Sequence, residues 1–157
     1  LRALLGCDPA SVWAQSWNPP YSIFNGDITG IAHFTMDNGL PVSYHADAIS
    51  SGDMTDWFGE IRAVGETGTL TMVYPELYIA RKGANHSDRA APREEEMAVR
   101  PPQEGQAAVL REFTAAIAEG REPESAGAEN IKSLAMVFAA VDSSRDQQVK
   151  RIADYLP

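Results

Sequence analysis

The sequence predicts an α+β fold, with helices packed on one face of a large, mostly antiparallel, open-faced β-sheet. Three observations lead to this prediction. Segments that alternate apolar and polar residues fill the first two thirds of the chain. An Asn-Gly pair at residues 38–39, which readily adopts positive φ, joins two of these segments as a hairpin. The last third changes to the helical period, with apolar residues three and four positions apart.

Size and composition indicate one ordinary globular domain, taken as residues 1–157. A chain of 157 residues can bury roughly 70% of the surface that its unfolded form exposes, so it can hold a core without disulfides or metals. The apolar fraction of 44% and the charged fraction of 22% are typical of globular proteins.

Charge and composition exclude several classes of partner. The net charge is −9 and no dense Lys/Arg run exists, so no nucleic-acid partner is expected. No apolar run approaches the roughly 18 residues of a membrane span, and no signal-peptide pattern is visible. Cys7 is the single cysteine, which rules out an intrachain disulfide and fits a reducing compartment. The expected location is therefore the cytoplasm, without a membrane partner.

The elements follow in order from the N-terminus. Residues 1–6 resemble the end of a helix, because leucines stand at positions 1, 4 and 5 and Gly6 is placed to end it. The chain is therefore expected to be a piece that starts inside a helix. The later segments are, in order, strands at 11–17, 27–36, 41–49, 55–64, 69–74 and 77–81, an edge strand at 94–100, helices at 106–119 and 128–144, and a short strand or tail at 149–152. Leu110, Phe113 and Ile117 are expected to be core residues of the first long helix.

The long strands carry apolar residues on both faces. Along 27–36 one face holds Ile28, Gly30, Ala32, Phe34 and Met36, and the other holds Thr29, Ile31, His33 and Thr35. The second face of the sheet also carries Ile49 and Phe58, so we expect it to be a subunit interface. The alternative is a solvated face with scattered apolar residues.

Two histidines on opposed hairpin strands form a candidate site. His33 and His45 can be neighbours across the ladder, and Asp47 follows closely. This group can make a metal or acid–base site, but ordinary residues on a polar strand face are the simpler interpretation. No metal site is predicted, because no histidine or cysteine spacing suits zinc. No cofactor-binding residue is predicted either, because neither G-x-G-x-x-G nor a P-loop occurs.

Five motifs are spread over the whole chain. They are Leu-Arg-Ala-Leu-Leu-Gly at 1–6 followed by Asp8-Pro9 and Val12, the long strand hairpin, Ile-x-x-Val-Gly-Glu-Thr-Gly-Thr-Leu at 61–70, Phe113-x-x-Ala-Ile-x-x-Gly-x-x-Pro123, and a closing helix with Leu134, Ala139 and Ser143. Together they resemble the C-terminal domain of the glucose–fructose oxidoreductase / inositol dehydrogenase / MocA (Gfo/Idh/MocA) family. Each motif alone is weak, but their order and spacing are specific.

The resemblance implies that this chain is one half of a two-domain NAD(P)-dependent oxidoreductase for a sugar, polyol or related hydroxy compound. Family members carry an N-terminal Rossmann domain that binds NAD or NADP, a catalytic Lys within it, and a proton-transfer His just before the helix that ends here at Gly6. None of these motifs occurs in the chain, so no catalytic residue is assigned and the chain alone is expected to lack catalysis.

The resemblance also implies a substrate wall and an assembly surface. Aromatic residues just upstream of the Val-Gly-Glu-Thr-Gly turn face the substrate in polyol dehydrogenases of the family, and the matching positions are Thr55, Asp56 and Trp57. Inositol-type members carry tyrosines there, which puts inositol in doubt as the substrate. The family's sheet packs against its counterpart, so a homodimer or tetramer through the open face is expected. The alternative is a standalone ligand-binding or scaffolding module.

Overall fold

The structure is a computed structural model that describes residues 1–52, 54–83, 94–96 and 105–157. Its elements in chain order are α1 (Arg2–Leu5), β1 (Pro9–Trp17), β2 (Thr29–Met36), β3 (Pro41–Asp47), β4 (Glu60–Val64), β5 (Gly68–Val73), β6 (Glu76–Arg81), β7 (Glu94–Glu96), α2 (Gln106–Glu119), α3 (Gly127–Asp146), β8 (Lys150–Arg151) and a 3-10 helix (Ile152–Tyr155). Strands precede the long helices and pair antiparallel, which confirms the α+β class.

The described strands form two four-stranded sheets. Their orders are β3-β2-β1-β8 and β4-β5-β6-β7. The first sheet belongs to a compact unit made of Leu1–Ser50 and Val109–Pro157, and the second to a unit made of Ser51–Ala108. Strands that the sequence pattern placed in one large sheet are thus divided between two.

The core of the first unit lies between its sheet and α3. The buried residues are Val12, Ala14, Ala32, Phe34, Met36, Ala135, Met136, Ala139 and Ile152. Ala32, Phe34 and Met36 of β2 occupy alternate positions, as predicted for its core face, whereas Thr29 of the other face is buried as well. On α3 the buried positions carry mainly small side chains, which let the helix backbone approach β1 closely.

The β2–β3 hairpin forms at the predicted turn. Gly39 has φ +83, where a glycine fits without strain. Its N–H donates to Met36 O at 2.9 Å, and Met36 N–H donates to Leu40 O at 2.9 Å. The Asn38 side chain accepts a hydrogen bond from Leu40 N at 3.0 Å, which fixes the turn further.

The expectation that the apolar stripe of α2 lies in the core is wrong. Leu110, Phe113 and Ile117 are each more than half exposed, while Ala116 is buried. On α3, Leu134 is half exposed, and Val137 and Phe138 are more than half exposed. Periodicity identifies an apolar helix face, but it does not say whether anything in the same chain covers that face.

The predicted strand at 55–64 is half as long as expected, because β4 begins at Glu60. Upstream of it the backbone makes a turn, in which Gly59 N donates to Asp56 O at 2.8 Å and Gly59 takes φ +69. Phe58 therefore stands in a turn and not on the open face of a long strand, which corrects that expectation. The predicted edge strand at 94–100 is present as β7, and its last four residues lie outside the described part of the chain.

Among the described residues, none of the helices combines the length and apolar character that a membrane span requires.

Candidate functional site

The three predicted substrate residues lie in the turn that precedes β4, in the second unit. Trp57 is fully exposed, and Thr55 and Asp56 are exposed as well. The carboxylate of Asp56 accepts a hydrogen bond from Phe58 N at 3.1 Å through Oδ1. An acidic side chain that caps its own turn in this way fixes the backbone two residues further on. Asp56 is thus a turn-forming residue, and it places Trp57 at the tip.

Phe58 attaches this turn to the second sheet. Its ring lies 4.3 Å from that of Tyr74, with the two planes inclined by 31°. Such tilted pairs contribute roughly 0.5–1.5 kcal/mol beyond the area that they bury. Sequence reasoning singled out Trp57 and assigned Phe58 to a sheet face. In the structure the Phe58 ring contacts Tyr74, so its assignment to a sheet face is wrong. Trp57 is fully exposed, and its contact with a substrate stays a prediction.

An exposed indole on a fixed turn suits a ligand with both apolar and polar groups. The ring offers a flat surface for C–H groups, and its N–H offers one hydrogen-bond donor. Asp56 stands beside it and presents a carboxylate, which accepts hydrogen bonds from hydroxyl groups. The segment can therefore contribute one wall of a site for a hydroxylated compound. The described residues of this unit do not enclose Trp57 by themselves.

The second candidate, the histidine pair, lies on the face of the first sheet that α3 does not cover. His33 is opposite Ser43, and His45 is opposite Ile31. The two rings are thus diagonal neighbours on one face, and not direct partners across the ladder. His33 Nδ1 is 3.1 Å from Ser43 Oγ, and its ring stacks on Trp13 with centroids 6.1 Å apart.

The carboxylate of Asp47 accepts hydrogen bonds from residues next to it in the structure. Its Oδ1 accepts hydrogen bonds from Ile49 N at 2.8 Å and from Thr29 Oγ1 at 3.3 Å. The pKa of Asp47 lies below its ordinary value, chiefly because the Ile49 N–H donates to the carboxylate. Over the described ranges, no group of three His, Cys, Asp or Glu side chains is arranged to hold a metal ion.

A charged network, which sequence reasoning missed, joins the end of α1 to α3. Arg2 donates to Asp8 at 2.6 Å and to Glu129 at 2.8 Å, and its side chain is only 16% exposed. Lys132 Nζ completes the network with contacts of 3.0 Å to Asp8 and 3.1 Å to Glu129. Arg2 holds the pKa of both carboxyls below their ordinary values. The sequence signals only the local pairs, Arg2 with Asp8 and Glu129 with Lys132, because the contacts between these two pairs join residues more than a hundred positions apart.

A cavity of about 370 Å³ opens beside this network. It is lined by Arg2, Ala3, Gly6, Cys7, Asp8, Asp37, Glu124 and Glu129. Because Asp8 and Glu129 are already bound by Arg2 and Lys132, the lining carboxylates outside these ion pairs are those of Asp37 and Glu124. Carboxylates accept hydrogen bonds from hydroxyl and ammonium groups and disfavour phosphate.

Known proteins show similarity to this chain in sequence and in structure. No family model matches the chain. Among curated proteins, the chain is 25% identical over 157 residues to the uncharacterized protein y4oX of Sinorhizobium fredii, covering 98% of this chain and 44% of that protein. The chain thus spans less than half the length of the curated relative that it matches.

Solved structures of oxidoreductases share the fold. An oxidoreductase of Agrobacterium radiobacter in complex with NAD+, L-tartaric acid and magnesium matches with a TM-score of 0.79 at 19% identity, over 99% of this chain and 46% of that one. The aldose-aldose oxidoreductase of Caulobacter crescentus, complexed with glycerol, gives 0.76 at 17% identity over 96% and 43%. A putative NADPH-dependent oxidoreductase of Desulfitobacterium hafniense gives 0.78 at 17% identity over 100% and 46%.

These likenesses extend over almost the whole chain and under half of each relative, which is consistent with the C-terminal domain predicted from the motifs. The chain therefore has the fold of a domain of Gfo/Idh/MocA-type oxidoreductases.

Proposed function

We propose that this chain is the substrate-side and self-associating domain of an NAD(P)-dependent oxidoreductase that acts on a sugar, polyol or related hydroxy compound. The observation that carries the proposal is the TM-score of 0.79 over 99% of the chain, against an oxidoreductase that holds NAD+ and L-tartaric acid. Tartaric acid is a hydroxy acid, and the similar Caulobacter crescentus enzyme is an aldose-aldose oxidoreductase. Both point to hydroxylated substrates.

The dinucleotide is assigned to a part of the protein outside these residues. A dinucleotide cradle is a parallel strand–turn–helix unit whose helix N-terminus faces the pyrophosphate. All strand pairs in the described sheets are antiparallel, so these residues do not fit that group. Hydride transfer, and the proton transfer that accompanies it, are likewise assigned outside this chain.

The outward apolar residues of the helices support a longer parent protein. Leu110, Phe113 and Ile117 on α2 are more than half exposed, as are Val137 and Phe138 on α3. Each of the two helices thus carries exposed apolar side chains, and apolar patches on a helix face mark interaction sites in soluble proteins. A further domain of the same polypeptide would cover these side chains, in agreement with relatives about twice as long as this chain.

The substrate wall is assigned to the turn with Thr55, Asp56 and Trp57. Trp57 is fully exposed, and Asp56 fixes the turn that presents it. A sugar or polyol stacks its C–H face on an indole while its hydroxyls bind neighbouring carboxylates. The site is completed by residues outside the turn, because one exposed wall cannot bury a ligand.

The experiment for this function uses the complete reading frame that contains these 157 residues. The purified protein is assayed for NAD(P)H formation with sugars, polyols and hydroxy acids, and the Trp57→Ala variant is assayed beside it. We expect turnover with at least one hydroxylated compound and a raised KM in the variant. The 157-residue chain alone should not bind NADH in a fluorescence titration. Tight NADH binding by this chain, or a full reading frame without a nucleotide-binding segment, would contradict the proposal and favour a standalone binding module.

Self-association is assigned to the uncovered face of the first sheet, termed the open face. It comprises Ser11, Trp13, Gln15, Trp17, Thr29, Ile31, His33, Thr35, Pro41, Ser43, His45, Asp47 and Arg151, by the register of the strands. Asp47 and Arg151 are the residues of this set with a permanent charge. Interface cores are depleted in charged residues and enriched in aromatic ones, and the open face follows that composition.

A second copy suits this face better than an unrelated charged partner. The chain carries a net charge of −9, so two copies repel one another over most of their surfaces. The open face contributes little to that repulsion, because Asp47 and Arg151 balance and no other Asp, Glu, Lys or Arg side chain belongs to it. A two-fold pairing would place the same face on both sides. A homodimer is the proposed minimum, and a tetramer requires a further surface.

The test of self-association compares two matched variants by sedimentation velocity. Ile31→Asp places a charge on the open face, and we expect it to weaken the dimer by at least about tenfold in Kd. Ile117→Asp makes the same change on exposed α2 and serves as the control. A monomeric wild-type chain at high concentration, or a dimer that only Ile117→Asp weakens, would refute the assignment.

A further inference from the structure

The turn that precedes β4 presents Trp57 and Asp56 in a fixed arrangement. Gly59 N donates to Asp56 O at 2.8 Å, which closes a four-residue turn with Trp57 at its second position. Phe58 N donates to Asp56 Oδ1 at 3.1 Å, and the Phe58 ring lies against that of Tyr74, in the connection between β5 and β6. The residues on both sides of Trp57 are thus held in place, so a ligand that binds there has little backbone to order.

The turn uses only one of the two carboxylate oxygens of Asp56. Oδ1 accepts the hydrogen bond from Phe58 N, whereas Oδ2 has no hydrogen-bond or ion-pair partner among the residues that the structure describes. Asp56 is exposed, as is the Trp57 indole next to it. An ionised carboxylate acts only as a hydrogen-bond acceptor. Oδ2 is therefore available to hydroxyl groups of a compound that stacks on Trp57.

The sequence around this carboxylate supplies no positive charge. Residues 3–61 contain seven Asp or Glu residues and no Lys or Arg. The first basic residue after the turn is Arg62, which shares its face of β4 with Glu60. A site for a carboxylate or a phosphate usually supplies Arg or Lys, because these side chains donate charge-assisted hydrogen bonds to anionic oxygens. The turn instead presents a charge of the same sign as such a ligand.

We infer that the parent enzyme takes a sugar or polyol without a carboxylate or phosphate group, and that Asp56 determines this preference. The inference rests on the proposed function and narrows its substrate class. Oδ2 of Asp56 accepts hydrogen bonds from hydroxyls of the substrate, while the Trp57 ring contacts its C–H face. Oδ1 stays bound to Phe58 N and keeps the carboxylate in position.

An anionic compound on the same wall is disfavoured in two ways. Its charge is repelled by Asp56, and this repulsion grows where the rest of the protein excludes water from the site. Where its carboxylate or phosphate lies against Oδ2, an acceptor replaces a hydroxyl donor, and Oδ2 is left without a partner. A site that hydrogen-bonds a substrate hydroxyl strongly rejects analogues that lack this donor. Because both effects act on binding, we expect the preference in KM more than in kcat.

The experiment measures kcat and KM for NAD(P)H formation by the complete reading frame on matched probes. D-glucose, D-galactose and D-xylose are each compared with the aldonic acid and the phosphate monoester of the same sugar, and sorbitol and myo-inositol are compared with their phosphates. For the wild-type protein we expect kcat/KM to be at least about tenfold higher for the uncharged member of the sets that are turned over.

Two variants with the same change of charge assign the preference to one residue. Asp56→Asn keeps an acceptor oxygen for Phe58 N, because Asn forms the same turn, but it places an amide donor where Oδ2 stands. We expect it to narrow the ratio of kcat/KM by at least about tenfold, through a higher KM for the uncharged compound and a lower KM for the anion, at unchanged Tm. Glu60→Gln at the start of β4 is the control, and we expect it to change the ratio by less than about twofold.

The outcomes separate this inference from the proposed function. A wild-type protein that uses an anionic member as well as its uncharged counterpart would overturn the inference and leave the oxidoreductase assignment standing. An unchanged ratio in Asp56→Asn would place the preference elsewhere and overturn the role of Asp56. A Glu60→Gln variant that narrows the ratio equally would attribute it to the general charge of the chain, against the inference. Absence of turnover with every compound would refute the proposed function, and the inference with it.

Discussion

The hydroxyl of Ser143 joins α3 to the backbone of Ala14 in β1. Its Oγ accepts a hydrogen bond from Ala14 N at 2.9 Å and donates one to Gln148 O at 2.6 Å. In the described sheet, β1 pairs with β8 only at Ser11 and Val12, so the Ala14 N–H points to an edge without a partner strand. In the same way, Ser144 Oγ accepts a hydrogen bond from Ser16 N at 2.8 Å. Two helix hydroxyls thus satisfy an open sheet edge.

Replacing Ser143 by Ala should destabilise the chain by about 1–3 kcal/mol, because a buried N–H loses its acceptor. Ser143 is fully buried, so water cannot replace the hydroxyl. Urea unfolding measures the loss, and amide exchange at Ala14 should become faster. Ser144→Ala is the control, because this residue is only partly buried and its loss should cost less. Equal losses for the two variants would contradict the role of burial.

Gly68→Ala should destabilise the second sheet by roughly 1–3 kcal/mol, as expected for overpacking against a rigid neighbour. A Cβ on Gly68 would clash with the carbonyl oxygen of Ala80 and lie 3.1 Å from the Cα of Arg81. Both are backbone atoms of the paired strand, which cannot move aside as a side chain would. Gly65→Ala is the matched control, since its nearest neighbour is 3.7 Å away. Thermal unfolding compares the two, and an equally stable Gly68→Ala would count against this account.

Glu112 should stabilise the end of α2 in a pH-dependent way. Arg121 donates to both of its carboxylate oxygens, at 2.7 and 2.8 Å, and lowers the pKa of Glu112 from 4.5 to about 2. A lowered folded-state pKa means that the stabilisation is complete above 4.5 and is lost as the pH falls toward 2. We therefore expect Glu112→Gln to lower Tm at neutral pH, and the difference from wild type to close within that window.

Glu119→Gln is the control for this pH dependence, because Glu119 contacts Arg121 through a single bond at 2.6 Å and is more exposed. Its Tm difference should be smaller at every pH. A Glu112→Gln difference that persists unchanged at about pH 2 would assign the effect to something other than the ionised carboxylate.

Replacing Trp57 should impair substrate binding but not stability, whereas replacing Phe58 should lower stability. Trp57→Ala should change the free energy of unfolding by less than about 0.5 kcal/mol, as for exposed residues without partners. Phe58→Ala removes the ring contact with Tyr74 and should cost roughly 0.5–1.5 kcal/mol. In the complete reading frame, we expect Trp57→Ala to impair substrate binding without loss of stability. A destabilised Trp57→Ala would indicate a packing role instead.

Local sequence patterns predicted the structure correctly where neighbours in sequence are also neighbours in space. The hairpin at Asn38-Gly39 and the buried face of β2 follow from residues two to four positions apart, and both are confirmed. The turn at Asp56 escaped prediction, because a capping side chain and a glycine with positive φ override the strand propensity of the residues around them. The backbone at the predicted site residues is therefore a turn and not the strand that the pattern predicted, and their substrate role stays a prediction.

By itself, the sequence determined the α+β class, the alternation of strand faces and the likeness to the oxidoreductase fold, because these depend on periodicity and ordered motifs. Only the tertiary structure decided what each face meets. In it, His33 lies diagonal to His45, Arg2 forms a salt bridge with Glu129, and Ser143 accepts a hydrogen bond from Ala14. The residues of each of these last two pairs lie more than a hundred positions apart in the chain. Contacts of that kind depend on how the helices pack on the sheet, which no local period encodes.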